Sequence, residues 1–516
     1  MSADDQRPAA PIAGEATLDD LFRRAVARRP HALALIDPPN RAAFTGGRAR
    51  QLTYGEADHI VSALAGRLRA LNDRDGAVVG LQIANTVESV LALLAVLRAG
   101  LVAMPLPLLW RQAEAVAALQ TAGANALIVS GRIGDTDHFG LAVRVAAQVF
   151  SVRQVCGFGG AAPDGAVSLD DLLTGVERRS AMDTPRAAAG RPAAITFDVS
   201  AQGLLPVRRD DAELIAGGLA VLLESAIPQD AVIVSTIAAG SFASLATTLV
   251  PWLLVGGTLA LHHPFDGAVL AAQLRETQCG VAVVPGPLLT VLARAGLLSR
   301  DGRLERVVAL WRSPEHLRRA AHWREELPAL VDVQVFGETG LVAGRRGPIG
   351  MPAPIPLGQV TAPRGDKDAR RVIEIERTAA GILALRGPML AHTSRAPGEA
   401  DRFIDTGFPC RIAADGVSIE IAGPPSGLVG CGGYRFLMHE LSALVSRVDP
   451  DGILIALPDT LAGHRLAGFA ADRNGIRTAL QEIGANPLLV AAFRDQVSDA
   501  RGQQERASSD LPRSNI

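Results

Sequence analysis

Lysine is all but missing from this chain of 516 residues: of 51 basic side chains only Lys367 is a lysine. Arginine replaces lysine well on a solvated face, but not as the compact ammonium of a catalytic site. Chemistry that needs a lysine outside residues 365–370 is therefore excluded. Cysteine is scarce as well: Cys156, Cys279, Cys410 and Cys431 stand far apart with no C-x-x-C pair, which argues against a zinc site and a disulfide framework. With a net charge of −2, the chain lacks the excess of either sign that would draw it to nucleic acid or an anionic membrane. Residues 1–16 lack the charged-then-apolar layout of a signal peptide and read as a disordered leader, so the expected setting is cytoplasmic. Residues 231–265 contain no Asp, Glu, Lys or Arg and are long enough to span a bilayer. Pro251, the Gly256-Gly257 pair and His262-His263 instead divide them into a strand (231–237), a helix (241–254) and a strand (258–261), so no transmembrane span is expected. No G-x-S-x-G elbow, H-E-x-x-H pair or dinucleotide glycine fingerprint is found, and His262-His263 reads as a strand-end pair rather than a metal site.

What is present is apolar and alternating. Hydrophobic residues make up 48% of the chain, enough for two to four cores. Thr17-Leu-Asp-Asp20 opens a helix with Leu18, Leu21, Phe22 and Val26 on one face. Thr53-Tyr-Gly-Glu56 is a capping box ahead of Ile60, Val61, Leu64 and Leu68. Strands over 78–83, 102–105 and 126–130 alternate with helices over 87–99 and 112–121, the pattern of parallel sheets with helices on both faces. Residues 193–214 stand out: an apolar strand (193–197), a small-residue loop (198–203) and a helix, the layout of a phosphate cradle, yet with one glycine, no threonine and no lysine in the loop. An ordinary strand-to-helix connection fits the same residues.

Leu52-Thr-Tyr-Gly-Glu56, Gly80-Leu-Gln-Ile-Ala-Asn85 and Leu97-Arg-Ala-Gly-Leu-Val-Ala-Met-Pro-Leu106 together resemble the N-terminal signature of the adenylate-forming enzymes, the AMP-dependent acyl-CoA synthetases and their relatives. The similarity runs on through Leu254-Val-Gly-Gly-Thr258, Phe336–Arg346 and 401–416. It implies an α/β fold: a large N-terminal body (17–422) of doubly wound sheets plus a small barrel-like region, a hinge at 423–426, a small mobile α+β domain (427–495) and a disordered tail (496–516). It also implies activation of a carboxylic acid by ATP and magnesium to an acyl adenylate, then transfer to a thiol, that of coenzyme A or of an acyl carrier protein. A carboxylate is a poor electrophile until its oxygen becomes a phosphate ester, and the charge developing on the phosphates must be neutralised.

Carried over position by position, the resemblance gives a candidate site and a series of departures. Gly203 is what survives of the phosphate loop, Leu205-Pro206 stands where Pro-Lys belongs, and Arg208 and Arg209 follow as substitute cations. Phe336 and Gly337 fall on the adenine-contacting strand end, with Glu338 as the magnesium carboxylate and Thr339 beside it. A second register would make Thr339 the family threonine and Gly340 the lost glutamate. Phe408 takes the place of the ribose-binding aspartate, Pro424 that of the hinge arginine, and Gln503 that of the C-terminal lysine. Four departures around one nucleotide predict weak ATP binding. Gly240, Phe242 and Ala243 are the candidate wall of the acyl pocket; equally, a buried helix excludes charge without binding anything. Two readings follow: a divergent ligase, impaired in adenylation, or a non-catalytic relative that keeps a carboxylic acid, an acyl thioester or a protein partner.

Overall fold

The computed structural model describes residues 16–71, 74–174, 190–200, 203–300, 302–319, 322–363, 370–391 and 402–494. Lys367, Gln503, most of the 1–16 leader and the 496–516 tail lie outside them.

Two sheets form the body. The eight-stranded one runs in the order Gly340–Arg345, Ala329–Phe336, Arg306–Trp311, Val281–Pro285, Val232–Ser235, Thr258–Leu261, Leu33–Ile36, Gln51–Thr53. Its central strands are parallel and are built from near-continuous Val, Leu and Ala, as befits strands covered on both faces. The seven-stranded sheet runs Gly203–Arg209, Ala194–Ser200, Val102–Pro105, Val78–Gln82, Ala124–Ser130, Gln154–Phe158, Ala166–Ser168. The helix Val87–Arg98, buried along its whole length, shares one apolar core with strands of both sheets.

A third sheet of six strands spans Ile355–Pro356 to Ser418–Ile421. It is the barrel-like region expected from sequence, but its end strands do not pair with each other and it stays open. The fourth, Leu428–Cys431, Tyr434–Leu437, Ile453–Asp459 and Gly463–Phe469, packs with the helices Met438–Val448 and Arg473–Glu482 around its own core of Phe436, Leu441, Val445, Ile476, Leu480 and Phe493. Among the described residues no helix is long and apolar enough to cross a membrane. Residues 231–265 form the expected strand, helix and strand. The helix passes through a π turn at Leu245–Leu249 just before Pro251, whose missing N–H cannot complete a regular helical bond to Thr247.

The 193–214 stretch departs from the strand–loop–helix layout. Ala194–Ser200 and Gly203–Arg209 pair antiparallel, from Ala194 opposite Arg209 to Ser200 opposite Gly203. Residues 201–202 lie outside the described residues, and the helix Asp211–Ser225 begins after the second strand, capped reciprocally by Asp210 and Glu213. Pro206 is accommodated because its strand forms the edge of the sheet. Of the expected loop, residues 198–200 and 203 are thus ladder.

Candidate active site

Parallel strands bring their carboxyl ends to one crevice, the usual position of sites in open α/β sheets. Residues 236–240 follow Val232–Ser235, 286–288 follow Val281–Pro285, Arg312 follows Arg306–Trp311 and Gly337 follows Ala329–Phe336. Residues 106–108 arrive from the second sheet, and the small sheet contributes its turns at 432–434 and 461–463. Between them lies a cavity of about 510 Å3 lined by Leu106, Pro107, Ile237, Gly240, Leu288 and Leu310 among others. A second void of about 60 Å3 adjoins it, bounded by Asp198, Gly240, Arg312, Glu338, Tyr434 and Arg435. A larger recess of about 800 Å3 opens around Trp323, His322 and the hinge residue Pro424.

Glu338 sits in the turn of a hairpin, between Phe336 and Gly340, which pair across it. Gly337 takes φ +62°, and a Cβ there would collide with the Asp198 carboxylate, so this position requires glycine. The Glu338 carboxylate accepts from the Phe242 N–H at 2.8 Å and from the Thr196 side chain, and lies 3.8 Å from the Arg209 guanidinium. Burial pushes its pKa above the ordinary glutamate range, against the pull of Arg209. Arg209 is itself fully buried, its pKa lowered by desolvation. It donates to the carbonyls of Glu338, Thr339 and Met389 and stacks 3.9 Å over the Phe242 ring.

Several expectations need correction. Arg209 is an internal pin rather than a phosphate ligand, and Arg208 is half-buried one residue along the same strand, on its opposite face. Gly203 stands in a strand, near Glu440 of the small sheet's helix. Phe242 and Ala243 have no exposure and sit in the core, leaving Gly240 as the member of that trio on the cavity wall. Phe336 is buried edge-on against Phe408, with ring centroids 5.4 Å apart. Thr339 closes the hairpin turn through its N–H to the Phe336 carbonyl.

Several of the residues that the resemblance assigns to a nucleotide contact one another and the small sheet. Asp198 accepts the Glu338 N–H at 2.7 Å and faces Arg435 at 3.4 Å, while Arg435 lies 4.8 Å over the Phe408 ring. Neither carboxylate in this arrangement fits a magnesium triphosphate: Glu338 is enclosed by donors, and Asp198 is tied to a backbone N–H and a guanidinium. Sequence reasoning missed Arg312 and Arg435. Arg312 carried a signal, since it is the first charge after an apolar strand that ends in the crevice.

The family model of AMP-binding enzymes matches residues 22–197. Over those residues the chain resembles the adenylate-forming enzymes. Local similarity extends to the chondramide synthase of Chondromyces crocatus, 37% identical over 95 residues, which are 18% of this chain and 2% of that protein. The medium-chain fatty-acid–CoA ligase of Escherichia coli K12 is 26% identical over 161 residues, 31% of this chain and 27% of the ligase. The aligned stretches thus span well under a third of these relatives. An artificially fused adenylation–PCP di-domain from Klebsiella oxytoca, NpsA-ThdA, shares the fold at a TM-score of 0.65 and 18% identity, over 96% of both chains. Members of the matched family use ATP and typically magnesium, and the overall fold is shared with the adenylation di-domain.

Proposed function

We propose that this chain is an adenylate-forming relative, impaired in adenylation, that retains a carboxylic acid or acyl thioester in the cavity at the strand ends. The observation that carries this reading is the contrast between two neighbouring volumes. The nucleotide ground is filled by Asp198, Arg435, Phe336 and Phe408, whereas about 510 Å3 beside it stays open and largely apolar, a volume in the range of small-molecule sites. Burying a few methylenes at about 0.8 kcal/mol each supports micromolar affinity without ATP. A medium-chain ligase among the relatives and a carrier-protein fusion among the structural neighbours support an acyl ligand and a carrier-type partner. The four free cysteines fit a cytoplasmic setting.

A second reading, a working ligase with a thiol acceptor such as coenzyme A, is favoured by one feature. Arg435 comes from the small sheet, so movement of that sheet about 423–426 would clear Asp198 and part of the Phe408 face. ATP–pyrophosphate exchange over a panel of fatty and aryl acids separates the two. No exchange is expected, together with saturable octanoate binding that is lost in Gly240→Trp, whose indole would enter the cavity. Robust exchange, or micromolar ATP affinity by calorimetry, would establish the ligase instead.

A further inference from the structure

The strongest unexplained charge in the crevice is Arg312. It follows directly on the buried strand Arg306–Trp311, at a strand end that points into the cavity. Its guanidinium donates to the Ser241 hydroxyl at 2.6 Å and to the Gly433 carbonyl at 3.3 Å, two of the five N–H bonds that an arginine can make. Its neighbours in charge are Glu338, Tyr434 and Arg435. None neutralises it. Glu338 is held by Arg209, Arg435 is a like charge turned to Asp198, and Tyr434 is a phenol whose pKa burial raises. Asp198 is committed to Arg435, so each acid beside the small void has its own cation and Arg312 has neither. Desolvation depresses the Arg312 pKa, and the Glu338 charge only partly opposes it.

Arg312 borders both the small void and the large cavity. On the large side it meets Pro107, Ile237, Leu288 and Leu310 rather than further charge. A half-buried cation next to an apolar volume is complementary to one kind of molecule, an anion with an apolar tail. A planar carboxylate can take two guanidinium N–H groups at once, and the tail removes water from the pair, which strengthens it.

We propose that Arg312 is the head-group anchor of this site: it binds the free carboxylate of a medium-length aliphatic or aryl acid, the tail lying along Ile237, Leu288 and Leu310. This rests on the acyl-binding reading above and narrows it to the free acid over the thioester. A carboxylate held on Arg312 is bound in its unreactive, ionised form, in keeping with a site that stores or senses the acid.

The test compares octanoate, octanamide and octanoyl-CoA on wild type, Arg312→Gln and Arg312→Lys by calorimetry. In wild type, octanoate is expected to bind at least about tenfold more tightly than octanamide, the worth of a charge-assisted hydrogen bond. Arg312→Gln should abolish that preference while octanamide binding is unchanged, and Arg312→Lys should restore part of it. A variant that merely distorts the cavity would weaken acid and amide together, so the ratio reads the anchor and not the fold. Equal octanoate and octanamide affinity in wild type, a preference that survives Arg312→Gln, or tighter binding of octanoyl-CoA than octanoate would overturn the anchor and leave acyl binding standing. Absence of saturable binding by all three ligands would overturn the acyl-binding reading itself, and with it this one.

Discussion

At the scale of single residues, Phe408 and Glu338 are where the proposal of impaired adenylation is most directly tested. Phe408 is 1% exposed, packed edge-on to Phe336 and covered by Arg435. Phe408→Ala is expected to cost about 3–5 kcal/mol in urea unfolding, the range for emptying a buried aromatic site, without creating ATP affinity, because alanine supplies no acceptor for ribose hydroxyls. Glu338 makes a sharper distinction. A carboxylate kept for magnesium is a burden to the metal-free protein, and its removal would be neutral or stabilising. Here its loss would strand Arg209, which is fully buried and whose Nη1 has no hydrogen-bond partner besides that nearby charge. Glu338→Ala is therefore expected to destabilise the protein by about 3–5 kcal/mol, measured by the same unfolding curves in the presence of a chelator. A rise in stability would restore the metal role.

At the scale of elements, two helix starts meet at a carboxylate. Asp211, the first residue of the helix Asp211–Ser225, accepts the N–H of Leu18, the first residue of the helix Leu18–Arg28, at 2.8 Å. Burial raises its pKa from 3.8 to about 6, helped by Asp210, Asp20 and Asp19 and opposed by the Leu18 bond. Because the folded value is the higher one, the associated stability is fully present below the unfolded pKa and is lost as pH rises through about 6. Asp211→Asn keeps an acceptor but cannot ionise. Relative to wild type it should gain about 2–3 kcal/mol between about pH 4 and pH 8, and unfolding curves at the two pH values check this. Elements of this kind were readable in the sequence because their signals are local. The capping boxes at Thr17/Asp20 and Thr53/Glu56 both form, and Gly256 ends its helix as expected. The hairpin at 194–209 was not readable, since whether a small-residue run joins a ladder depends on a partner strand brought in by the fold. The site was legible in the same uneven way. Glu338, Gly240 and Phe408 could be named by position, but that Arg209 would be spent on Glu338, and Arg312 left without an ion-paired carboxylate among the described residues, depends on packing between segments about a hundred residues apart or more.

At the scale of the molecule, the small sheet meets the body, among the described residues, through the ion pair of Arg435 with Asp198. We take 423–426 as the hinge and 427–495 as a separately opening unit, a division motivated by Gly423-Pro-Pro-Ser426 and by the unit's own core. Arg435 links that unit to the body twice, by its ion pair with Asp198 and by its position over Phe408. The pair is mostly buried, with side chains 15% and 19% exposed, so each contact is worth about 0.5–1 kcal/mol. Their joint loss in Arg435→Ala should raise the open population of the small unit about fivefold or more while leaving the body untouched. Hydrogen exchange reads the two separately. Faster exchange is expected at interface amides of Leu428–Cys431 and Tyr434–Leu437, with the central body strands Val281–Pro285 and Arg306–Trp311 unchanged. Asp198→Ala should reproduce a smaller part of the effect, because the contact to Phe408 survives it. Uniform acceleration across both units would mean that the small sheet and the body open together, and that 423–426 is a connection rather than a hinge.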